Sequence, residues 1–279
     1  MCGLIRVSPK SAHWAGGDRE TVVLPPKIGG FLDAFSPSNI HPLVRKLDNV
    51  FILSDEERSA VSRLPTQIAN LRADQDIVRE RDRPSRCCLI LKGFACSYKI
   101  TSEGKRQIFS FSITGDMPDL QSLHLRILDN SLGTITPCMV GFIQHEALRE
   151  LCESYPRIAG ALWRDTLIEA AVFREWMVSI GRRDAYSRIA HLFCELLTRM
   201  RVAGLAVDRT CECPITQTEI ADALGLTTVH VNRTLRDLRE AGLVAFDGRV
   251  LKVLEWDGLR EAGGFDPIYL HIKTEEAAA

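Results

Sequence analysis

The sequence predicts an α+β chain in which short strands precede long helices, and three observations carry that prediction. Between residues 66 and 142, apolar residues alternate in short runs parted by turns such as Ser102-Glu103-Gly104 and Thr114-Gly115-Asp116. Residues 157–180 then hold no proline and repeat apolar residues at helical spacing. Residues 216–253 finally read as two short helices meeting at Gly225, followed by a two-stranded hairpin.

Composition narrows the class. The chain has 279 residues, with 35 Lys+Arg against 36 Asp+Glu and a formal net charge of -1. A hydrophobic fraction of 46% with 25% charged residues is ordinary globular usage and excludes a mostly disordered chain. No apolar run reaches the roughly 20 residues a membrane helix needs. The first 17 residues lack the pattern of a signal peptide, so a cytoplasmic protein without a membrane partner is expected. Near-zero net charge argues against indiscriminate coating of nucleic acid but allows a local basic surface.

Nine cysteines, an odd number, do not suit a disulfide framework. None forms the Cys-x2-Cys pair that aims two thiolates at one ion. Cys211-Glu212-Cys213 places both thiols on one face of a strand, where packing is the simplest reading. Cys87-Cys88 opens an apolar run and reads as core. No metal or cofactor is expected.

The elements follow in order. Residues 1–40 carry Gly16-Gly17, Gly29-Gly30 and Pro25-Pro26 and read as a loose arm. Residues 41–155 form the strand region. It opens with a short helix capped by Ser54 and Glu57, stopped by Pro65, and closes with a helix over residues 146–153. Residues 156–180 form one long helix. Ile158, Ala161, Leu162, Ile168, Val172 and Trp176 make its apolar stripe, widened by Leu167, Ala170, Ala171 and Met177. A helix apolar over half its circumference needs two partners. The strands supply one, and a second copy of the same helix supplies the other. Ile158, Leu162, Ile168, Val172 and Trp176 are the expected dimer contacts, with burial inside one monomer as the alternative. Gly181 is expected to end this helix, and Asp184 to begin an amphipathic helix to about Met200. The C-terminal module then spans 181–258, leaving 259–279 as a tail.

Residues 216–242 are the most informative segment. Thr216 can cap a first helix, Ala221 allows close helix packing, and Gly225 can take positive φ at the turn. Thr227 caps a second helix whose inward face is Val231, Leu235 and Leu238. This is a helix-turn-helix. The opposite face presents Thr228, Val229, Asn232, Arg233 and Arg236, with His230 at its margin. Arg can grip guanine with two hydrogen bonds, Asn can read adenine, and Val can touch a thymine methyl. Gln217 and Thr218, at the first helix's N-terminus, suit a phosphate. After Gly242, Asp247-Gly248 joins two strands in the manner of a type I′ hairpin. Arg249 and Lys252 on that wing are expected near the DNA backbone. From residue 227 to 253, five cations face three acids, a modest excess.

No Gly-x-Ser-x-Gly, His-Glu-x-x-His or phosphate loop occurs, so no catalytic residues and no enzyme are expected. A sensor or scaffold acting through protein contacts is the competing class. Salt-dependent binding to DNA separates the two.

The order of strand roll, long helix and winged helix-turn-helix resembles the Crp/Fnr family of bacterial transcription regulators. Residues 215–221 and 224–227, read through to Leu243, carry the likeness, with looser support from Leu91-Lys92-Gly93 and Gly115-Asp116 in the roll. The resemblance implies a cyclic-nucleotide-binding-like β-roll (jelly roll) and a homodimer joined by the long helix. It also implies a pseudo-palindromic double-stranded operator with half-sites roughly 34–36 Å apart, and RNA polymerase as a partner. Departures from the family pattern matter. Where cyclic-AMP-binding members have a Gly-Glu-Leu turn, this chain has Met117-Pro118-Asp119-Leu120-Gln121-Ser122. The family's Arg-Ser pair falls near Asp129-Asn130-Ser131, and a carboxylate there would repel a cyclic phosphate. Cyclic-AMP dependence is therefore not expected, although a cyclic-nucleotide-responsive member stays as an alternative. So does a haem-responsive one, with His124 or His145 as axial ligand. The arm holds only Cys2, which does not suit a [4Fe–4S] cluster. Arg233 matches the family's guanine-reading arginine. Val229 stands where well-studied members carry Glu, so the operator is expected to differ at that base pair.

Overall fold

The computed structural model describes residues 40–273. The loose arm expected over residues 1–40 falls, apart from Ile40, outside the described residues, as does Cys2.

The first element, α1 (Pro42–Val50), is one that the pattern reading passed over. Pro42 sits at the first helical turn, where its missing N–H costs nothing, and Leu43, Val44 and Leu47 are buried. α2 (Asp55–Ser62) starts at the expected capping box. The Ser54 hydroxyl accepts from the Glu57 amide at 3.2 Å, and the Ser54 amide donates to the Glu57 carboxylate at 2.7 Å.

Seven strands make the roll: β1 (Thr66–Leu71), β2 (Asp76–Val78), β3 (Arg86–Lys92), β4 (Ala95–Ile100), β5 (Arg106–Ser112), β6 (Ser131–Thr134) and β7 (Cys138–Gln144). Every pairing is antiparallel, in two sheets ordered β1-β7-β3 and β2-β6-β4-β5. Cys88, Ile90, Ala95, Leu132, Cys138 and Val140 fill one core cluster. Cys87 and Cys88 are both buried, as apolar packing requires. Burial pushes the Cys87 thiol up to about 12, far from a reactive thiolate.

α3 (His145–Ser154) leads into α4 (Pro156–Arg182). The long helix does not stop at Gly181. It runs one residue further, because an isolated glycine costs only about 1 kcal/mol in a helix. The break comes at Arg183, whose backbone is extended, and Asp184 caps α5 (Ala185–Val202) by accepting from the Ser187 amide at 2.8 Å.

The expected dimer stripe needs correction. Ile158, Leu162, Val172 and Trp176 are buried within the single chain, and Ile168 is half-buried. Trp176 packs edge-on against Phe111 of β5, with ring centroids 5.8 Å apart. This stripe faces the chain's own core because a single-sequence pattern shows how wide the apolar arc is, not which part meets which partner. The most exposed apolar residues of α4 lie on another face: Trp163 (69% exposed), Leu167 (54%) and Met177 (72%), with Val178 and Phe173 less exposed beside them.

The C-terminal module holds β8 (Ala206–Val207), β9 (Thr210–Glu212), α6 (Gln217–Leu224), α7 (Thr228–Glu240), β10 (Val244–Phe246) and β11 (Val250–Val253). Its sheet is ordered β10-β11-β9-β8, so the wing hairpin is backed by two more strands. Cys211 and Cys213 both face inward and are buried, while Glu212 between them is exposed. The tail read over 259–279 begins inside α8 (Trp256–Gly263) and holds a 3-10 turn at Pro267–Leu270, with Leu259, Phe265, Tyr269 and Leu270 buried. No helix among the described residues is long and apolar enough to cross a membrane.

Candidate nucleic-acid interface

α6 forms because its first turn is doubly capped. The Thr216 amide donates to Glu219 Oε2 at 2.6 Å, and the Thr216 hydroxyl accepts from the Glu219 amide at 3.2 Å. Gly225 closes the helix at φ 64°, a left-handed setting a side chain would strain, and the Leu226 amide returns to the Ala221 carbonyl at 3.1 Å. The Arg188 guanidinium of α5 donates to the Leu224 carbonyl at 2.9 Å. α7 starts at Thr227, whose hydroxyl accepts from the His230 amide at 3.2 Å. Val231, Leu235 and Leu238 are fully buried, as the spacing predicts, and Thr234 joins them.

The opposite face of α7 is open. Thr228, Val229, His230, Asn232, Arg233 and Arg236 are exposed, Val229 at 76%. Among the described residues, Arg233 has no partner for its guanidinium. Arg236 has only long ion pairs, to Asp237 at 3.5 Å and Glu240 at 3.7 Å, both solvated and weak. Thr218 is exposed at the start of α6, beside amides that the helix leaves unpaired. Gln217 is half-buried, and its Oε1 accepts from Asn232 Nδ2 at 3.2 Å. That contact joins the two helices across the open face.

The wing differs in detail from the expected two-residue turn. The ladder ends at the Phe246–Leu251 pair, and only Gly248 takes positive φ (87°). The Asp247 carboxylate accepts from the amides of Arg249 and Val250, each at 2.8 Å, which opens the loop by two residues. Those two bonds hold its carboxyl below the ordinary range. Arg249 and Lys252 are exposed on this hairpin.

Sequence reasoning missed three positioning contacts. Arg239, counted only as a charge, donates to the Phe246 carbonyl from Nε (3.2 Å) and Nη2 (3.0 Å), tying α7 to β10. Arg106 of β5 pairs with Asp222 of α6 at 2.7 Å, and the Gln107 amide donates to the Ala223 carbonyl at 3.1 Å. Those two join the roll to the helix-turn-helix. No local pattern marks residues that meet over more than a hundred positions.

Comparison with known proteins agrees with this geometry. A Crp-like helix-turn-helix domain matches residues 187–262, and a cyclic nucleotide-binding domain matches residues 68–155. The transcriptional activator protein FnrL of Cereibacter sphaeroides is 25% identical over 219 residues, covering 76% of this chain and 86% of its own. The transcriptional activatory protein AadR of Rhodopseudomonas palustris is 30% identical over 178 residues, covering 62% and 72%. The structure of FixK2 from Bradyrhizobium japonicum superposes with a TM-score of 0.65 at 26% identity, covering 71% of this chain and 98% of that one. An open arginine-bearing helix on a capped turn, a wing beside it and a roll before it make this chain a member of the Crp/Fnr family of DNA-binding transcription regulators.

Proposed function

We propose that two copies of this chain bind a pseudo-palindromic operator in the cytoplasm, each placing α7 in one major groove, and there meet RNA polymerase. The exposed face of α7 carries the reading. Arg233, unpartnered among the described residues, takes a guanine. Asn232, oriented by Gln217, takes an adenine. Thr228, Val229 and His230 shape the remaining contacts, with Arg236 at the backbone edge. Thr227 holds a phosphate only through its backbone, since its hydroxyl caps α7. Thr218 and the wing's Arg249 complete the phosphate contacts.

The dimer forms through the exposed face of α4. Trp163, Leu167, Ala170, Arg174 and Met177 recur at alternating four- and three-residue steps, the spacing of a two-helix seam. Met177→Glu should split the dimer while leaving the fold intact. A dimer persisting in sedimentation would place the interface elsewhere.

Cyclic-AMP dependence is not part of this reading. The Asp129-Asn130-Ser131 stretch offers no cation of its own to a cyclic phosphate. Asp129 is exposed and lies 3.6 Å from Lys99. Asn130 is buried, its amide donating to the Ser131 carbonyl at 3.3 Å. His145 is a poor haem ligand, being buried with Nε2 3.0 Å from the Ser122 hydroxyl.

Selection from random DNA, followed by mobility shift across a salt series, tests the proposal. The expected result is an inverted repeat with centres roughly one helical turn apart. Enrichment of no motif, or binding insensitive to salt, would overturn it.

A further inference from the structure

The Crp-like match ends at residue 262, yet the chain continues in an ordered path. It turns at Gly264, makes the 3-10 turn at Pro267–Leu270 and reaches Lys273. This run packs against α4 and ends on α1, which belongs to the roll side of the chain. The Lys273 amide donates to the Asn49 carbonyl at 3.1 Å, and its ammonium bonds the Asp48 carbonyl. The same end of α1 grips the end of α5. Asn49 Nδ2 donates to the Val202 carbonyl at 3.0 Å, and Arg45 donates to the Ala203 carbonyl at 2.8 Å.

Midway along the run, Tyr269 enters a buried chain of charges. Its hydroxyl donates to Glu195 Oε2 at 2.8 Å and lies 3.1 Å from His191 Nε2. Trp176 Nε1 of α4 donates to the same Glu195 oxygen at 3.0 Å. Arg199 lies 3.4 Å from the other Glu195 oxygen and bonds Asp116 Oδ2 at 3.0 Å and the Phe111 carbonyl at 2.8 Å. Lys46 of α1 reaches Asp116 Oδ1 at 2.6 Å and Asp165 of α4 at 3.2 Å. Gly115, beside Asp116, lets α1 come this close: a Cβ there would lie 2.9 Å from the Pro42 carbonyl. One polar chain thus connects the C-terminal run, α5, the roll's turn, α1 and α4.

We infer that residues 264–273 are a positioning strap for DNA reading, holding the winged module in one setting against the roll through Tyr269 and Lys273. The inference rests on the DNA-binding reading above and adds what sets the module's orientation. Interfaces between domains of one chain ordinarily permit relative motion. Here α5 enters the module from α4, α6 touches β5, and the strap adds a third attachment at His191 and Glu195 of α5. Glu195 is fully buried, so its two donors from α4 and the strap are held at fixed places.

Tyr269→Phe keeps the ring and removes the hydroxyl. Lys273→Ala, at the exposed end, serves if that variant fails to fold. Hydrogen exchange in the full-length chain should quicken at the amides of residues 222–226, on the α6–β5 contact, by about fivefold or more. Affinity for the DNA recovered by selection should fall by a similar factor, with the slope against salt unchanged. Exchange changes confined to α5 and α8, with affinity held within about twofold, would make the strap mere packing and overturn the inference. Failure to recover any operator would fault the DNA reading alone, because the exchange measurement uses no DNA.

Discussion

Two sets of arginines in this molecule lead opposite lives. At the junction of roll and winged module, Arg199 spends its guanidinium on Asp116, Glu195 and the Phe111 carbonyl. On α7, Arg233 spends none of its donors on the described residues, and Arg236 spends them on long solvated pairs. The difference separates structural charge from functional charge. A buried cation must be saturated, or its desolvation unfolds the chain. A cation that reads bases must arrive with its donors free. The neighbouring carboxylates show the same division. Burial alone would raise the Asp116 carboxyl, but Lys46 and Arg199 hold it below its ordinary range. Asp119, three residues on, makes no ion pair among the described residues, and the pull of Arg86 does not offset its burial. Its Oδ1 accepts from the Cys88 amide at 2.7 Å, its Oδ2 is buried with no hydrogen-bond partner, and burial raises its pKa to about 7.

The largest effect that would break this contrast lies at the junction. Arg199→Met leaves Asp116 and Glu195 without their shared cation and should cost about 3–5 kcal/mol in urea denaturation. A cost under about 1 kcal/mol would mean that the junction charges are as dispensable as surface pairs. Next comes Arg233→Ala, expected to lose about 1–3 kcal/mol of operator binding and to relax preference at one base pair. Its thermal stability should stay within about 0.5 kcal/mol of wild type. Equal weakening on every sequence would make Arg233 a phosphate contact instead.

The smallest effect concerns Asp119. The folded protein binds this proton more tightly than the unfolded chain does. Its contribution is therefore present below the ordinary carboxyl pKa of 3.8 and is lost as pH rises toward about 7. Asp119→Asn should flatten that part of the pH profile. The melting temperature of the variant relative to wild type should be higher at pH 8 than at pH 5. A pH-independent difference would show that Asp119 keeps one protonation state throughout.

Much of the exposed face of α7 was visible in the sequence because a helix-turn-helix is local. Thr216, Gly225 and Thr227 act through bonds to residues within five positions, and Val231, Leu235 and Leu238 declare the wheel. The roll's strands were legible for the same reason, through turns at Gly104 and Gly115. What stayed hidden is non-local. The apolar arc of α4 gave no sign that Val172 and Trp176 meet β5 and α5 while Trp163 and Met177 stay open. Tyr269 and Leu270 sit in a stretch too short for periodicity, and their partners lie on α5 and α4. Asp247 looked like half of a tight turn, but its side chain competes for two backbone amides and lengthens the loop.

The tie between Arg239 and Phe246 couples α7 to the wing. Helix α7 and the wing are fastened at the helix's last turn, so they tilt together as a lever. On the proposed reading, a small rotation of α7 in a major groove would sweep Arg249 along the flanking backbone. Changes in seating would then show first at the margins of a cleavage footprint, with the central bases still protected.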